Sequence, residues 1–258
     1  MIVQKTEREL ELMKQACRIS ANALAVVGRA VKPGISTYEL DRIAYDYIVA
    51  QGAVPNFKGL YGFPATACIS VNSQVIHGIP SKKTILLEGD IVSVDLGAKI
   101  HGYNGDNAAT FAVGKVSPEA KRLMDTTREA LYEGIKCAVI GNRIGDISHA
   151  IQSYCEQRGY GVVRKYVGHG VGTELHEEPE VPNFGSPHKG VRLFEGMTIA
   201  IEPMINAGTH EVRQLRDGWT VVAADGKNSA HFEHTVAITR DGPLILTQPD
   251  PELATEAP

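Results

Sequence analysis

An internal repeat at a constant offset of 107 residues constrains this chain more than any other feature. Leu87-Glu88-Gly89-Asp90-Ile91-Val92-Ser93-Val94-Asp95 aligns with Phe194-Glu195-Gly196-Met197-Thr198-Ile199-Ala200-Ile201-Glu202. The same offset pairs Gly34 with Gly141, Leu40 with Ile147 and Gly52 with Gly159. In each copy a Glu-Gly turn feeds a short run, rich in β-branched residues, that ends in a carboxylate. Such a run reads as a buried strand. A carboxylate at its buried end is costly unless something positive holds it. Two related halves that each bring one point to a cation between them.

The remaining pattern follows the same two-copy plan. Thr6-Glu7-Arg8-Glu9 is a capping box opening a helical pattern to about Val31, where Lys32-Pro33-Gly34 stops it. Ser36-Thr37-Tyr38-Glu39 opens a second helix that Gly52 closes. In the second half Ser117-Pro118-Glu119 starts a long helix ended by Gly141, with proline at the first helical position. A further helix runs over about 146–158 and ends at Gly159. Strand patterns follow each pair, at 66–71, 90–96, 107–113, 162–167, 197–201, 220–224 and 231–239. Tight turns at Asn104-Gly105 and Asp225-Gly226 predict antiparallel pairing. The segment 177–189 holds three prolines and reads as a loop. The expectation is one pseudo-symmetric unit over 1–248, with halves about 5–113 and 114–248. A Pro- and acid-rich tail at 249–258 is expected to be disordered.

Composition excludes several classes. An apolar share of 43% supports a large core, while a charged share of 22% and a net charge of −4 show no nucleic-acid or membrane-binding surface. No run of about 18 apolar residues predicts a membrane span. The first twelve residues are charged and lack a signal-peptide core. The four cysteines, Cys17, Cys68, Cys137 and Cys155, form no CxxC pair. A soluble, cytoplasmic protein of a reducing compartment is expected.

The chemistry-bearing residues lie at the ends of these strands. Asp95 ends one strand, and Asp106 follows eleven residues later across a Gly-rich hairpin that can return it beside the first. The second half supplies Glu202 and, 31 residues on, Glu233. Four converging carboxylates repel one another if bare. Two divalent cations would neutralise them, and oxygen-rich ligation suits Mn, Mg or Fe(II), with one histidine widening the choice to Co or Zn. Each carboxylate alone reads equally well as an exposed turn residue, but four in matched pairs do not. His169 lies between glycines in Val167-Gly168-His169-Gly170-Val171-Gly172. A lone histidine is more often structural, and the flanking glycines, which permit close approach, shift the reading towards a ligand. His77 and His176 sit in Gly- or Pro-neighboured loops and are weak signals alone.

Together these motifs resemble type I methionine aminopeptidase over nearly the whole chain. The matching residues are Ser70-Val71-Asn72 through His77-Gly78-Ile79-Pro80, then Asp95 and Asp106. Val167-Gly168-His169-Gly170-Val171-Gly172, Leu175-His176-Glu177-Glu178-Pro179, Ile201-Glu202-Pro203-Met204 and Phe232-Glu233-His234-Thr235 complete the set. The resemblance implies an α/β (α+β) pita-bread fold, a pseudo-twofold antiparallel sheet covered by two helix pairs. It implies that Asp95, Asp106, His169, Glu202 and Glu233 bind two divalent metal ions, with Asp106 and Glu233 bridging. His77 and His176 would be catalytic histidines outside the ligand set, and Glu202 would also shuttle a proton. Cys68, Phe63 and Trp219 would line or neighbour a methionine pocket, although Trp219 also reads as a core aromatic. Phe63 stands where many members have tyrosine, Leu60 where some do, and His231 where glutamine is common.

The implied reaction removes methionine from the N-terminal peptide of nascent proteins when the second residue is small. A ribosome-proximal setting follows from that substrate, although the N-terminus shows no docking module. Related Xaa-Pro peptidases, prolidase and aminopeptidase P, normally carry a sizeable N-terminal domain, whereas here the first helix begins at about Thr6. The type II enzymes carry a helical insertion that a 31-residue gap cannot hold. A non-enzymatic binding module on this fold usually lacks metal ligands, and all five are present here.

Overall fold

The structure is a computed structural model and describes residues 2–254. Four α-helices are formed: α1 Glu7–Ala30, α2 Thr37–Ala50, α3 Pro118–Lys136 and α4 Ile144–Glu156. The first-half strands are β1 Val54–Pro55, β2 Ala67–Val71, β3 Gln74–Ile76, β4 Ile91–Ile100 and β5 Tyr103–Ala112. The second half begins with β6 Gly161–Val162, β7 Gly168–Gly170, β8 Glu177–Val181, β9 Thr198–Ile201 and β10 Met204–Asn206. It continues with β11 Val212–Gln214, β12 Val221–Ala223, β13 Ser229–His231, β14 Glu233–Thr239 and β15 Gly242–Ile245.

The helix starts follow the capping chemistry. Thr6 and Ser36 cap α1 and α2 in capping boxes with Glu9 and Glu39. Ser117 caps α3 ahead of Pro118. α4 begins at Ile144, two residues before expected, because the Asp146 carboxylate accepts from the Arg143 N–H at 2.7 Å.

The main sheet runs β1-β4-β5-β14-β9-β7-β8, with β2 on the edge of β4 and β15 on β14. Every named strand pair is antiparallel. The pseudo-twofold axis passes between β5 and β14. α2 and α4, β1 and β6, and β4 and β9 begin 107 residues apart. Even the isolated bridges Ser36–Ile85 and Arg143–Arg192 keep that offset. Each helix pair covers its own half of the sheet. Leu24, Val27, Leu40 and Ile48 pack with Val92, Val94 and Leu96. Leu123, Leu131, Ile147 and Ile151 pack with Ile199, Ile201, Val236 and Ile238.

Four local expectations are corrected. The hairpin between β4 and β5 turns at His101-Gly102, both with positive φ, so Asn104-Gly105 lies inside β5. The Asp225-Gly226 turn joins β12 to β13, which belong to different sheets. The strand pattern at 162–167 is limited to β6, Gly161–Val162. The segment read as a loop at 177–189 opens with β8, and Pro179 is held by a cis peptide bond within it. In the tail, Asp250 accepts from Arg18 and Asn22 of α1, each at 2.7 Å, and the Glu252 carbonyl accepts from Arg29. Residues 255–258 lie outside the described residues.

Candidate active site

The sheet register gathers the four acids on one face. Asp95 on β4 pairs with Cys68 on one side and Ala108 on the other. Glu233, first in β14, pairs with the same Ala108. Asp106 is two residues from Ala108 along β5, and Glu202 follows Ile201, the partner of His234. Cross-strand partners and residues two apart share a face, so the four side chains converge. β7 brings His169 alongside β9. Its Nε2 lies 3.7 Å from Asp106 Oδ2 and 3.5 Å from Glu202 Oε1. Ligand atoms of Asp106, His169 and Glu233 all lie within 4.8 Å of one another. The glycines beside His169 let backbone approach backbone: a Cβ would meet Ala200 O at Gly168 and Glu178 O at Gly170, each at 2.3 Å.

Asp106 and Glu233 are 3% and 2% exposed. Burial pushes Asp106 up to about 7. Burial, then the Asp106 charge, holds Asp95 and Glu233 well above the usual carboxylate range. Glu202 is raised by burial, then by Asp95 and Asp106. Asp95 Oδ1, Asp106 Oδ1 and Glu233 Oε1 are buried without a hydrogen-bond partner. His169 Nδ1 lies 2.9 Å from Gly170 O. A carbonyl only accepts, so Nδ1 carries the proton and the Nε2 lone pair faces the acids. Burial, then His176, pulls this imidazole down to about 4. Orphaned carboxylate oxygens around an imidazole lone pair form a donor set that fits a divalent cation.

A cavity of about 530 Å³ stands over this floor, and all ten residues singled out in the sequence line it. His176 meets His169 edge-on at 4.4 Å between ring centroids and stacks on Tyr61 at 5.9 Å. His77 meets Tyr166 and Trp219 edge-on at 5.8 and 6.4 Å. Burial, then His176, lowers His77 to about 4, and burial lowers His176. Beside the acids, Phe57, Phe63, Ala65, Cys68 and Leu175 form an apolar cluster, with Trp219 packed edge-on against Phe63. Burial, then Asp95, raises the Cys68 thiol well above its usual range, so it stays protonated. Phe57, Tyr61 and Tyr166 were not foreseen, and Leu175 entered the sequence reading only within the His176 motif. Buried beneath Glu202, His231 places Nε2 3.6 Å from Glu202 Oε2, and burial, then His77, lowers it to about 3.

Residues 11–240 match the model of Metallopeptidase family M24. The chain belongs to that family. Use of divalent metal follows from membership. The chain is 54% identical over 247 residues to a methionine aminopeptidase of Clostridium acetobutylicum, covering 96% of this chain and 99% of that one. Methionine aminopeptidase 1 of Bacillus subtilis is 53% identical over 248 residues, covering 96% and 100%. The crystal structure of methionine aminopeptidase from Thermotoga maritima matches with a TM-score of 0.95 at 46% identity, covering 96% of this chain and 100% of that one. A prolidase from Pyrococcus horikoshii matches with a TM-score of 0.77 at 25% identity, covering 98% of this chain and 66% of the prolidase. The pita-bread expectation is thereby met.

Proposed function

We propose that this chain is a methionine aminopeptidase that releases methionine from nascent chains whose second residue is small. The observation that carries the reading is the juxtaposition of the acid-and-imidazole floor with the Phe57, Phe63, Cys68 and Leu175 cluster in one cavity. Identity above 50% to methionine aminopeptidases along their full length supports it. Asp95, Asp106, His169, Glu202 and Glu233 would hold two divalent ions. Mn, Fe(II), Co and Zn all suit this donor set. Bound there, such ions would lower the pKa of a water molecule and polarise the scissile carbonyl.

The chain's own groups do the rest. The apolar cluster receives the unbranched thioether, which packs well on aromatic and sulfur neighbours. His77 and His176, both neutral near pH 7, each retain one N–H. His176 donates to the developing oxyanion and His77 hydrogen-bonds the scissile amide. Glu202 takes and returns the proton. The substrate's free α-amino group belongs beside the acids, which limits cleavage to one residue. A cytoplasmic, ribosome-proximal setting suits this substrate. Among the described residues no helix is long and apolar enough to cross a membrane.

The Xaa-Pro alternative is tested by a peptide panel with Mn, Co or Fe(II). Met-Ala-Ser is expected to turn over well, and Ala-Pro and Xaa-Pro peptides poorly. A second side chain would lie against the loops bearing His77 and His176, which line the same cavity. kcat/KM for Met-Ala-Ser should therefore exceed that for Met-Leu-Ser by about tenfold or more, a steric penalty of the usual specificity scale. Equal values for the two would sink the small-residue rule.

A further inference from the structure

His231 has no role in the reading above, yet its placement is tightly held. It is 1% exposed, and neither ring nitrogen has a hydrogen-bond partner. Natural folds rarely leave such a group unsatisfied without a reason. Its backbone is pinned: the N–H donates to Thr110 Oγ1 and the carbonyl accepts from that hydroxyl, both at 2.9 Å. β13 fixes it opposite Met204. The ring therefore cannot leave its place by backbone slack.

Glu202 lies between two imidazoles. Oε1 is 3.5 Å from His169 Nε2, and Oε2 is 3.6 Å from His231 Nε2. His169 turns a lone pair towards the acids because Gly170 occupies its N–H. His231 has no such constraint, so its proton is free to reside on Nε2. It addresses the carboxylate oxygen that His169 does not. It is also absent from the cluster whose ligand atoms lie within 4.8 Å of one another.

We propose that His231 is a positioning residue whose Nε2–H closes the 3.6 Å gap to Glu202 Oε2 and donates to it. This bond fixes the carboxylate so that Oε1 faces the metal-binding donors while Oε2 is held for proton transfer. The inference rests on the functional reading above and deepens it. A glutamine amide N–H offers the same donor, whereas leucine offers similar bulk and none.

The test compares wild type, His231→Leu and His231→Gln, each loaded with Mn(II), using Met-Ala-Ser. His231→Leu should lower kcat about 10- to 100-fold, the span of a lost hydrogen bond to a charged group. KM should change by less than about twofold, because the bond acts on the reacting step. Isothermal titration should count the same number of Mn(II) ions. His231→Gln should recover kcat to within about threefold of wild type, as a retained donor predicts. Unchanged kcat in His231→Leu, or an equal loss in His231→Gln, would overturn the proposal in favour of plain packing. Loss of an ion in His231→Leu would overturn it in favour of a ligand.

A second arm needs neither turnover nor a folded leucine variant. The His231 ring N–H resonance in the wild-type chain should exchange slowly with water and shift on Glu202→Gln. A resonance that ignores Glu202→Gln refutes the bond. Failure of wild type to cleave Met-Ala-Ser defeats the functional reading, and the resonance still decides this one.

Discussion

Three histidines line one cavity, and their surroundings set them apart. His169 is fixed by Gly170 with its lone pair among the acids, whereas His176 stacks on Tyr61 and His77 rests between Tyr166 and Trp219. His169→Ala should therefore weaken metal binding, because it removes a donor. His176→Ala should keep the metal and lose mainly kcat, about 10²–10³-fold, because its bond strengthens only as the oxyanion forms. Isothermal titration beside steady-state kinetics separates the two, and metal loss in His176→Ala would reverse the assignment. At this scale the sequence was most legible where spacing is rigid. Each acid is read from the strand run that carries it, although Asp95 and Asp106 lie within β4 and β5 and not at strand ends as expected, and His169 is read from its glycines. Tyr61 and Tyr166 were not legible, because an aromatic in a loop has no period and its partner is chosen by tertiary packing. Tyr61 is 77% exposed and adopts φ 50°, a placement no local pattern announces.

Elements were legible wherever a cap or an alternation marks them. α1, α2 and α3 start at their serine or threonine caps. β8 was not legible, since Pro179 and acidic residues dominate Glu177–Val181 and mask its edge-strand character. What holds β8 lies far away in sequence. Lys5, 6% exposed, places Nζ 2.6 Å from Glu177 Oε2, and its backbone N–H donates to Gly196 O at 2.8 Å. Removing one partner of a buried pair strands the other charge. Lys5→Ala should destabilise the fold by about 3 kcal/mol or more. Asp250→Ala, which removes the acceptor for Arg18 and Asn22 at a solvent-screened site, should cost clearly less. Urea unfolding of the two variants checks the contrast, and equal losses would place Lys5 outside the framework of β8.

The repeat organises the whole molecule, and it brings the four acids to the axis between the halves. That arrangement is unstable without a cation, and the pH dependence of the metal-free chain should show it. Asp106 is held up at about 7, and Asp95, Glu202 and Glu233 are raised as well. Above the ordinary carboxylate pKa the folded chain keeps protons that the unfolded chain has released. Stability from these groups is therefore lost as pH rises through their folded pKa values, by about 1.4 kcal/mol per pH unit for each proton retained. His77, His169 and His231, lowered to about 4, 4 and 3, act oppositely. The unfolded chain binds protons at these sites first, so stability rises with pH up to the unfolded histidine value of about 6.5 and then levels. Below that value the two contributions oppose each other, and above it only the carboxylate loss remains. The EDTA-treated chain should thus melt at a lower temperature at pH 8.5 than at pH 6.5. Added Mn(II) should raise Tm more at pH 8.5, because a cation meets carboxylates that have already lost their protons. Differential scanning calorimetry at both pH values measures this. A metal-free Tm that does not fall between pH 6.5 and 8.5, together with a Mn(II) effect independent of pH, would show that the acids do not depend on a cation.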